Sequence, residues 1–140
     1  MSGSWTDVAK GKEIGISMIS TNKADVIFSF ASGVDAGVRE ACQSADNVYF
    51  IAQPSESHDT APDITVTSII QSNEALIYYA METAANGTFK GGYYIAGFED
   101  GGTCSLGVFG DFFDADKQAK VNDVINKIKS GEIDCDSYAK

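Results

Sequence analysis

The stretch that decides the fold is "ADVIFSFASGVDAGVREACQSADNVYFIA", Ala24 to Ala52. It opens with a short apolar run rich in β-branched and aromatic residues, which is typical of a strand buried on both faces. Gly33 then turns the chain into a segment with one apolar helical stripe, and Asn47 to Ala52 forms a second apolar run. The order strand, glycine turn, helix, strand predicts a parallel βαβ unit.

The same alternation continues on both sides of this unit. Before it, apolar residues at helical spacing predict a helix capped by Ser4 and ended at Asn22. After it the pattern predicts, in order, a strand at Ile64–Ile70, a helix capped by Ser72 and ended by Asn86-Gly87, strands at Gly91–Phe98 and Cys104–Gly110, and a last helix capped by Asp114 or Asp116. We therefore predict an α/β fold, one three-layer α/β/α domain with a mainly parallel sheet, whose ligands bind at the carboxyl ends of the strands.

Charge and composition exclude several functions. Ten Lys+Arg against twenty Asp+Glu give a formal net charge of −10 over 140 residues. Such a surface repels phosphate backbones and anionic lipid headgroups, so a nucleic-acid partner is not expected. No stretch approaches the roughly 18 apolar residues of a membrane span, and no cationic-then-apolar export signal opens the chain.

Catalytic and metal chemistry have little support in the sequence. The only histidine, His58, is flanked by Ser57 and Asp59, and adjacent residues cannot aim at one another as a catalytic triad must. The three cysteines are scattered, and Cys42 lies on a predicted apolar helix face. We therefore predict a solvated His58, no catalytic residue, no metal, no cofactor and no enzyme activity.

Two strand-end turns are candidate ligand sites. The turn "SGVDAG" around Gly33 stands between a strand and a helix, where anions and nucleotides bind, although it lacks a G-x-G start. In "FEDGGT", Phe98 could stack on a planar ring and a carboxylate could accept hydrogen bonds from sugar hydroxyls. The alternatives stay open: a glycine needed only for the turn, and a tight loop whose acids are merely solvated.

Five motifs in order give the chain a recognisable likeness: "GSWTDVAKGKE", "ADVIF" with its glycine turn, "SHDTAPDITVTSII", "GTFKGGYYIAGFEDGG" and "VNDVINKIKSGEI". Together they make the chain resemble the basic membrane protein family. Members are lipoproteins similar to type I periplasmic binding proteins, and they capture purine nucleosides for ABC transporters. The five motifs span nearly the whole chain and occur in the same order as in the family.

The resemblance implies a solute-binding module that corresponds to the C-terminal lobe only, residues 1–140 as a single domain without the first lobe and first strand. By position, Asp100 would contact the ribose, Phe98 would stack beside it, and Gly33 and Gln53 would lie at the ligand edge. Two departures stand out: this chain has "SGVD" in place of a glycine-rich turn, and Gln53 and Ser55 in place of common aspartates.

Partners and location follow from the same resemblance. It implies a nucleoside-like ligand, an ABC transporter permease, and a periplasmic or extracellular position. A doubly wound sheet without its interior first strand would have two unpaired edges, and a rearranged sheet, a neighbouring copy or a separate N-terminal half could fill the gap. We predict a homo-oligomer with strand or helix exchange, the final helix being the most suitable exchanged element. The alternative function is a truncated lobe that acts as a structural or interaction oligomer without ligand binding.

Overall fold

The computed structural model describes residues 3–94, 96–98 and 102–138. Its longer elements are α1 (Val8–Ser20), β1 (Val26–Phe28), α2 (Val34–Gln43), β2 (Tyr49–Ala52), β3 (Thr65–Gln71), α3 (Asn73–Ala85), β4 (Cys104–Leu106) and α4 (Ala115–Lys129). Short 3-10 turns follow β2 and α4 at His58–Thr60 and Cys135–Tyr138. The predicted α/β class with a mainly parallel sheet is confirmed.

In the described residues the sheet has four strands in the order β1-β2-β3-β4. β1 and β2 are parallel with Ile27 opposite Phe50, and β2 and β3 are parallel with a register shift after Phe50. Beyond β4, the amides of Gly107 and Gly110 donate to the carbonyls of Ser68 (2.8 Å) and Val66 (3.0 Å). Because these partners run in reverse order along the chain, this segment is antiparallel to β3.

The direct pairing of β1 with β2 matches one of the three alternatives, a rearranged sheet. Val26, Ile27 and Phe28 lie in register with successive residues of β2. The rearranged sheet therefore leaves no gap between these two strands. The homo-oligomer with exchanged elements stays a prediction.

The chain divides into two compact units. Unit 1 comprises Met1–Ile70 and Leu106–Phe113, and unit 2 comprises Gln71–Ser105 and Asp114–Lys140. In unit 1 the apolar core is a cluster of Ile27, Val38, Cys42, Val48, Phe50 and Ala52. Burial raises the pKa of the Cys42 thiol to about 11, so this cysteine is the core residue that the sequence predicted.

Helices α1 and α2 of unit 1 touch backbone to backbone. A Cβ atom on Gly37 would lie 1.9 Å from the carbonyl oxygen of Val8, and one on Gly11 would lie 2.1 Å from that of Val34. Each glycine therefore makes room for the main chain of the other helix. Gly37 belongs to this packing contact and not to an anion-binding turn.

The helices of unit 2 are well capped. The Ser72 hydroxyl accepts a hydrogen bond from the amide of Ala75 at 3.1 Å, and the Asp114 carboxylate accepts one from Lys117 at 2.9 Å, as predicted. Yet α3 and α4 contain no fully buried residue. Helical periodicity predicts one core-facing stripe on each helix, and the residues of both stripes are at most half-buried: Leu76, Tyr79, Ala80 and Thr83 in α3, and Val121, Val124, Ile125 and Ile128 in α4.

Several predicted boundaries are wrong for identifiable reasons. Asp7, not Ser4, is the N-cap of α1, because the Ser4 hydroxyl accepts from the amide of Asp7 (3.1 Å) one turn earlier. The C-cap of α1 is Thr21 and not Asn22. β1 ends at Phe28 because the backbone after it bonds to the side chains of Asp35 on α2 and Gln53 instead of a strand.

The predicted strand at Gly91–Phe98 is not a strand in its described part, residues 91–94 and 96–98. Gly92 adopts a φ of 141°, which breaks an extended run. The ring of Tyr94 stacks on Tyr79 of α3 with 4.1 Å between centroids. This segment follows the surface of α3 rather than the sheet. Among the described residues, no helix is both long enough and apolar enough to cross a bilayer.

Candidate functional site

The carboxyl ends of β1 and β2 meet at one edge of unit 1. Gln53 follows β2 directly, and its side-chain amide nitrogen donates to the carbonyl of Ser29, just after β1, at 3.1 Å. Neighbouring parallel strands bring their carboxyl ends to the same edge, which explains the contact. The structure thus brings Gln53 to the β1–α2 turn that contains Gly33.

The side chain of Asp35 holds the β1–α2 turn through hydrogen bonds. Its carboxylate is buried, with 9% exposure, and accepts the amide of Ala31 at 2.9 and 3.0 Å as well as the hydroxyl of Ser29. The positive end of α2 is therefore neutralised by a carboxylate of the same chain. This observation counts against a phosphate cradle at the turn.

Gly33 itself has a structural reason to be glycine. Its amide donates to the carbonyl of Trp5 at 2.9 Å, and a Cβ atom on it would lie 3.2 Å from the same oxygen. The turn therefore packs tightly against the segment that leads into α1. This geometry favours the alternative in which Gly33 is needed for the turn, and a direct ligand contact of Gly33 stays a prediction.

The loop between β2 and β3, residues 53–64, is held by Glu56. This carboxylate accepts the amides of Ser57 (2.9 Å) and His58 (2.9 Å), the hydroxyl of Ser68 (2.9 Å) and the amide of Val108 (2.7 Å). Burial raises the pKa of Glu56, but the four hydrogen bonds outweigh burial and hold that pKa below its ordinary value. Sequence reasoning missed Glu56, because its partners Ser68 and Val108 lie 12 and 52 residues away.

His58 is half-buried, so the prediction of a solvated side chain is wrong. Its Nδ1 atom is buried and has no hydrogen-bond partner within the described part of the chain. The backbone amide of His58 donates to Glu56. No group of three or more His, Cys, Asp or Glu side chains suited to a metal occurs in residues 3–94, 96–98 and 102–138.

The second predicted turn lies in unit 2. Phe98 is half-buried next to Gly97, whose carbonyl accepts the hydroxyl of the buried Thr103 at 2.9 Å. The carbonyl of Thr103 in turn accepts the amide of Ser72, the N-cap of α3, at 2.9 Å. Asp100 falls outside the described residues, so its contact with a ribose stays a prediction.

Unit 2 also contains a groove that the sequence did not indicate. Its volume is about 910 Å³, and it lies between α3 and the glycine-rich segment Gly87–Tyr94, with the stacked pair Tyr79 and Tyr94 in its wall. Phe98 does not line it. Tyr79 is a residue that helical periodicity assigned to a core stripe, and only the fold places it in a groove.

Comparison with known proteins supports one family and one fold. A family model described as "ABC transporter substrate-binding protein PnrA-like" (Bmp) matches residues 1–137. Comparison with curated protein sequences returns no match.

Two solved structures share the fold. One is described as a transcriptional activator of the comK gene from Bacillus halodurans (TM-score 0.76, 24% identity), and 89% of this chain aligns with 43% of that one. The other is described as an ABC transporter solute-binding protein from Aeropyrum pernix K1 (TM-score 0.70, 20% identity), with 99% of this chain and 48% of that one aligned. The present chain therefore spans less than half the length of each.

Proposed function

The chain belongs to the Bmp family of PnrA-like ABC transporter substrate-binding proteins, and on this basis we propose that it binds a purine nucleoside for import by an ABC transporter. The family is one of solute-binding proteins and not of enzymes. The observation that carries the proposal is the extent of the match. Residues 1–137 include every predicted ligand residue: Gly33, Gln53, Phe98 and Asp100.

The chemistry of these side chains suits a nucleoside. Gln53 uses one amide hydrogen on Ser29, and its carbonyl oxygen and second hydrogen can serve a ribose hydroxyl or a purine edge. Phe98 supplies a ring for stacking on the base. Asp100 supplies an acceptor for two sugar hydroxyls. By residue type the predicted residues therefore include both an apolar ring and polar groups, the two kinds of contact that small-molecule sites combine.

We further propose that the chain forms one lobe, residues 1–140 as a single domain, of a two-lobe binding protein. The aligned shares of 43% and 48% of the structural neighbours support this assignment. A ligand held by one lobe leaves much of its surface in water, so weak affinity is expected from this chain alone. As an ABC substrate-binding protein it would work outside the cytoplasmic membrane, in contact with a permease.

A second candidate is a structural or interaction oligomer without a ligand. It is favoured by the exposed apolar side of α3, where Ile77, Tyr78 and Met81 are 61%, 66% and 67% exposed. Large exposed apolar surfaces often mark interaction sites. Edge strand β1 adds Phe28, which is 52% exposed. These surfaces would be buried between copies.

Calorimetric titration with adenosine, guanosine and inosine at high protein concentration separates the two candidates. We expect saturable heat with the wild type. In Asp100→Ala the affinity should fall about 10- to 100-fold, because hydrogen bonds to a charged group are lost. The matched control is Asp111→Ala, an exposed aspartate of unit 1, which should bind like the wild type. No heat with any nucleoside, together with a stable oligomer in light scattering, would favour the second candidate.

A further inference from the structure

We propose that Glu56 is a positioning residue, which clamps the β2–β3 loop in the conformation that presents Gln53 at the ligand edge. The clamp is a property of unit 1 alone, and only its consequence for ligand binding rests on the proposed function. No contact of Glu56 with a ligand is implied. The carboxylate acts through the loop that it holds.

The carboxylate joins three segments that are distant in sequence. Oε1 gathers the loop amides of Ser57 and His58 and the hydroxyl of Ser68 on β3, each at 2.9 Å. Oε2 accepts the amide of Val108, beyond β4, at 2.7 Å. An ionised carboxylate offers about four acceptor positions, and here the protein occupies four. Three of these donors bind Oε1 and one binds Oε2, and all four belong to the loop or to the segments beside it, so the group serves the fold of the loop.

The surroundings of Glu56 fit this role closely. Ser68 is fully buried, donates to Glu56, and accepts the amide of Ser57 at 3.0 Å, which closes a small hydrogen-bonded ring. A Cβ atom on Gly107 would lie 2.0 Å from Oε2, so a glycine at this position lets the carboxylate reach Val108. Gly107 in turn donates its amide to the carbonyl of Ser68 at 2.8 Å. Three backbone segments thus converge on one charge.

The second half of the loop is anchored at the buried Ala61, so Glu56 matters for the first half, which follows Gln53. Pro54, Ser55 and Glu56 are exposed, so little apolar burial fixes the residues that follow Gln53. A glutamine at position 56 keeps the shape but replaces one acceptor by an NH₂ group, which would face a donor such as the Val108 amide. Two donors cannot satisfy each other. The loop would then be released and the Gln53 amide would lose its fixed position.

The test measures amide hydrogen exchange without ligand in the wild type, Glu56→Gln, Glu56→Asp and the control Asp59→Asn. Asp59 is an exposed carboxylate in the same loop. In Glu56→Gln we expect the amides of Ser57, His58 and Val108 to exchange about tenfold faster or more. Glu56→Asp is one methylene shorter and keeps the charge, so its increase in exchange rate should be smaller. It serves as the folded variant if Glu56→Gln does not fold. Asp59→Asn should exchange like the wild type.

A second arm titrates inosine into the same four proteins. We expect Glu56→Gln to bind about tenfold more weakly and Asp59→Asn to bind normally. Unchanged exchange at the three amides in both Glu56 variants would overturn the clamp. Faster exchange with unchanged inosine affinity would overturn the positioning role. If the wild type binds no nucleoside, the proposed function fails, while the exchange arm still supports or overturns the clamp.

Discussion

Units 1 and 2 contain helices of similar length that are stabilised in opposite ways. Helix α2 of unit 1 has Gly33 as N-cap and no side-chain cap, yet Val34, Val38, Ala41 and Cys42 on it are buried. Helix α3 of unit 2 has the Ser72 cap and no buried residue. Every apolar residue that is buried within the described parts belongs to unit 1. Tertiary packing therefore holds α2, and local capping holds α3.

The difference predicts that the two units, each of which carries candidate ligand residues, differ in stability. Unit 1 has a core and an internally bonded strand edge, so Gln53 is held in place before a ligand arrives. Unit 2 carries Phe98 on a turn tied to the N-terminus of α3 through Thr103. We expect unit 1 to open only on global unfolding and unit 2 to open locally at lower cost. Four substitutions test this comparison.

The largest effect is expected from Phe50→Ala. Phe50 is 2% exposed at the centre of the unit 1 core, and its truncation should cost about 3–5 kcal/mol in the free energy of unfolding, because it leaves a cavity. The control Phe28→Ala lies on the opposite face of the sheet, half-exposed, and should cost about 1 kcal/mol. Urea unfolding followed by circular dichroism measures both. Equal losses would show that the core is not where the structure puts it.

Gly37→Ala should have the next largest effect. Alanine favours a helix by about 1 kcal/mol over glycine, but the new Cβ would lie 1.9 Å from the Val8 carbonyl oxygen and force α1 away from α2. Overpacking of this kind costs about 1–3 kcal/mol, so we expect a net loss of stability in urea unfolding. In unit 2, Gly91→Ala has no atom within 4 Å of the new Cβ and should change stability by less than about 0.5 kcal/mol.

Ser72→Ala examines the local capping of unit 2. Loss of the bond to the Ala75 amide should destabilise α3 by about 1 kcal/mol, visible as reduced helicity on mild heating and faster amide exchange in α3. Ser72→Asp retains an acceptor and should behave like the wild type. An α3 that is insensitive to both changes would mean that packing, not capping, holds this helix.

The smallest effect is expected from Ile77→Ser. Ile77 is 61% exposed on α3, so its replacement should change the free energy of unfolding by less than about 0.5 kcal/mol. The measurement is made at two protein concentrations. A loss above about 1 kcal/mol that grows with concentration would show that a second copy covers this side of α3, as the oligomer prediction requires.

Local signals were sufficient for much of the fold. The apolar stripe of α2, the caps Ser72 and Asp114, and the strands around Ile27 and Phe50 follow from periodicity and capping chemistry alone. They are predictable because each depends on neighbours within a few residues. The Gly91–Phe98 segment failed as a prediction because an apolar run reads as a strand whether it pairs with a sheet or, as with Tyr94, stacks on a helix.

The site shows the same division between local and distant causes. Gln53 and Gly33 could be placed at a strand edge from the sequence, since parallel strands order their ends in this way. Glu56 could not, because its donors include Ser68 and Val108, which are brought near only by the antiparallel segment after β4. Gly37 was assigned to a turn, and its contact with Val8 depends on how two helices cross.

The sequence by itself determined the family, the α/β class, the N-caps of α3 and α4 and the candidate ligand residues, because motifs, periodicity and capping are written in short stretches of chain. Tertiary structure decided that β1 pairs with β2, that Gly11 and Gly37 join α1 to α2, and that Glu56 holds the β2–β3 loop. These contacts join residues far apart in the chain. Their energy depends on distance in space, which no local pattern records.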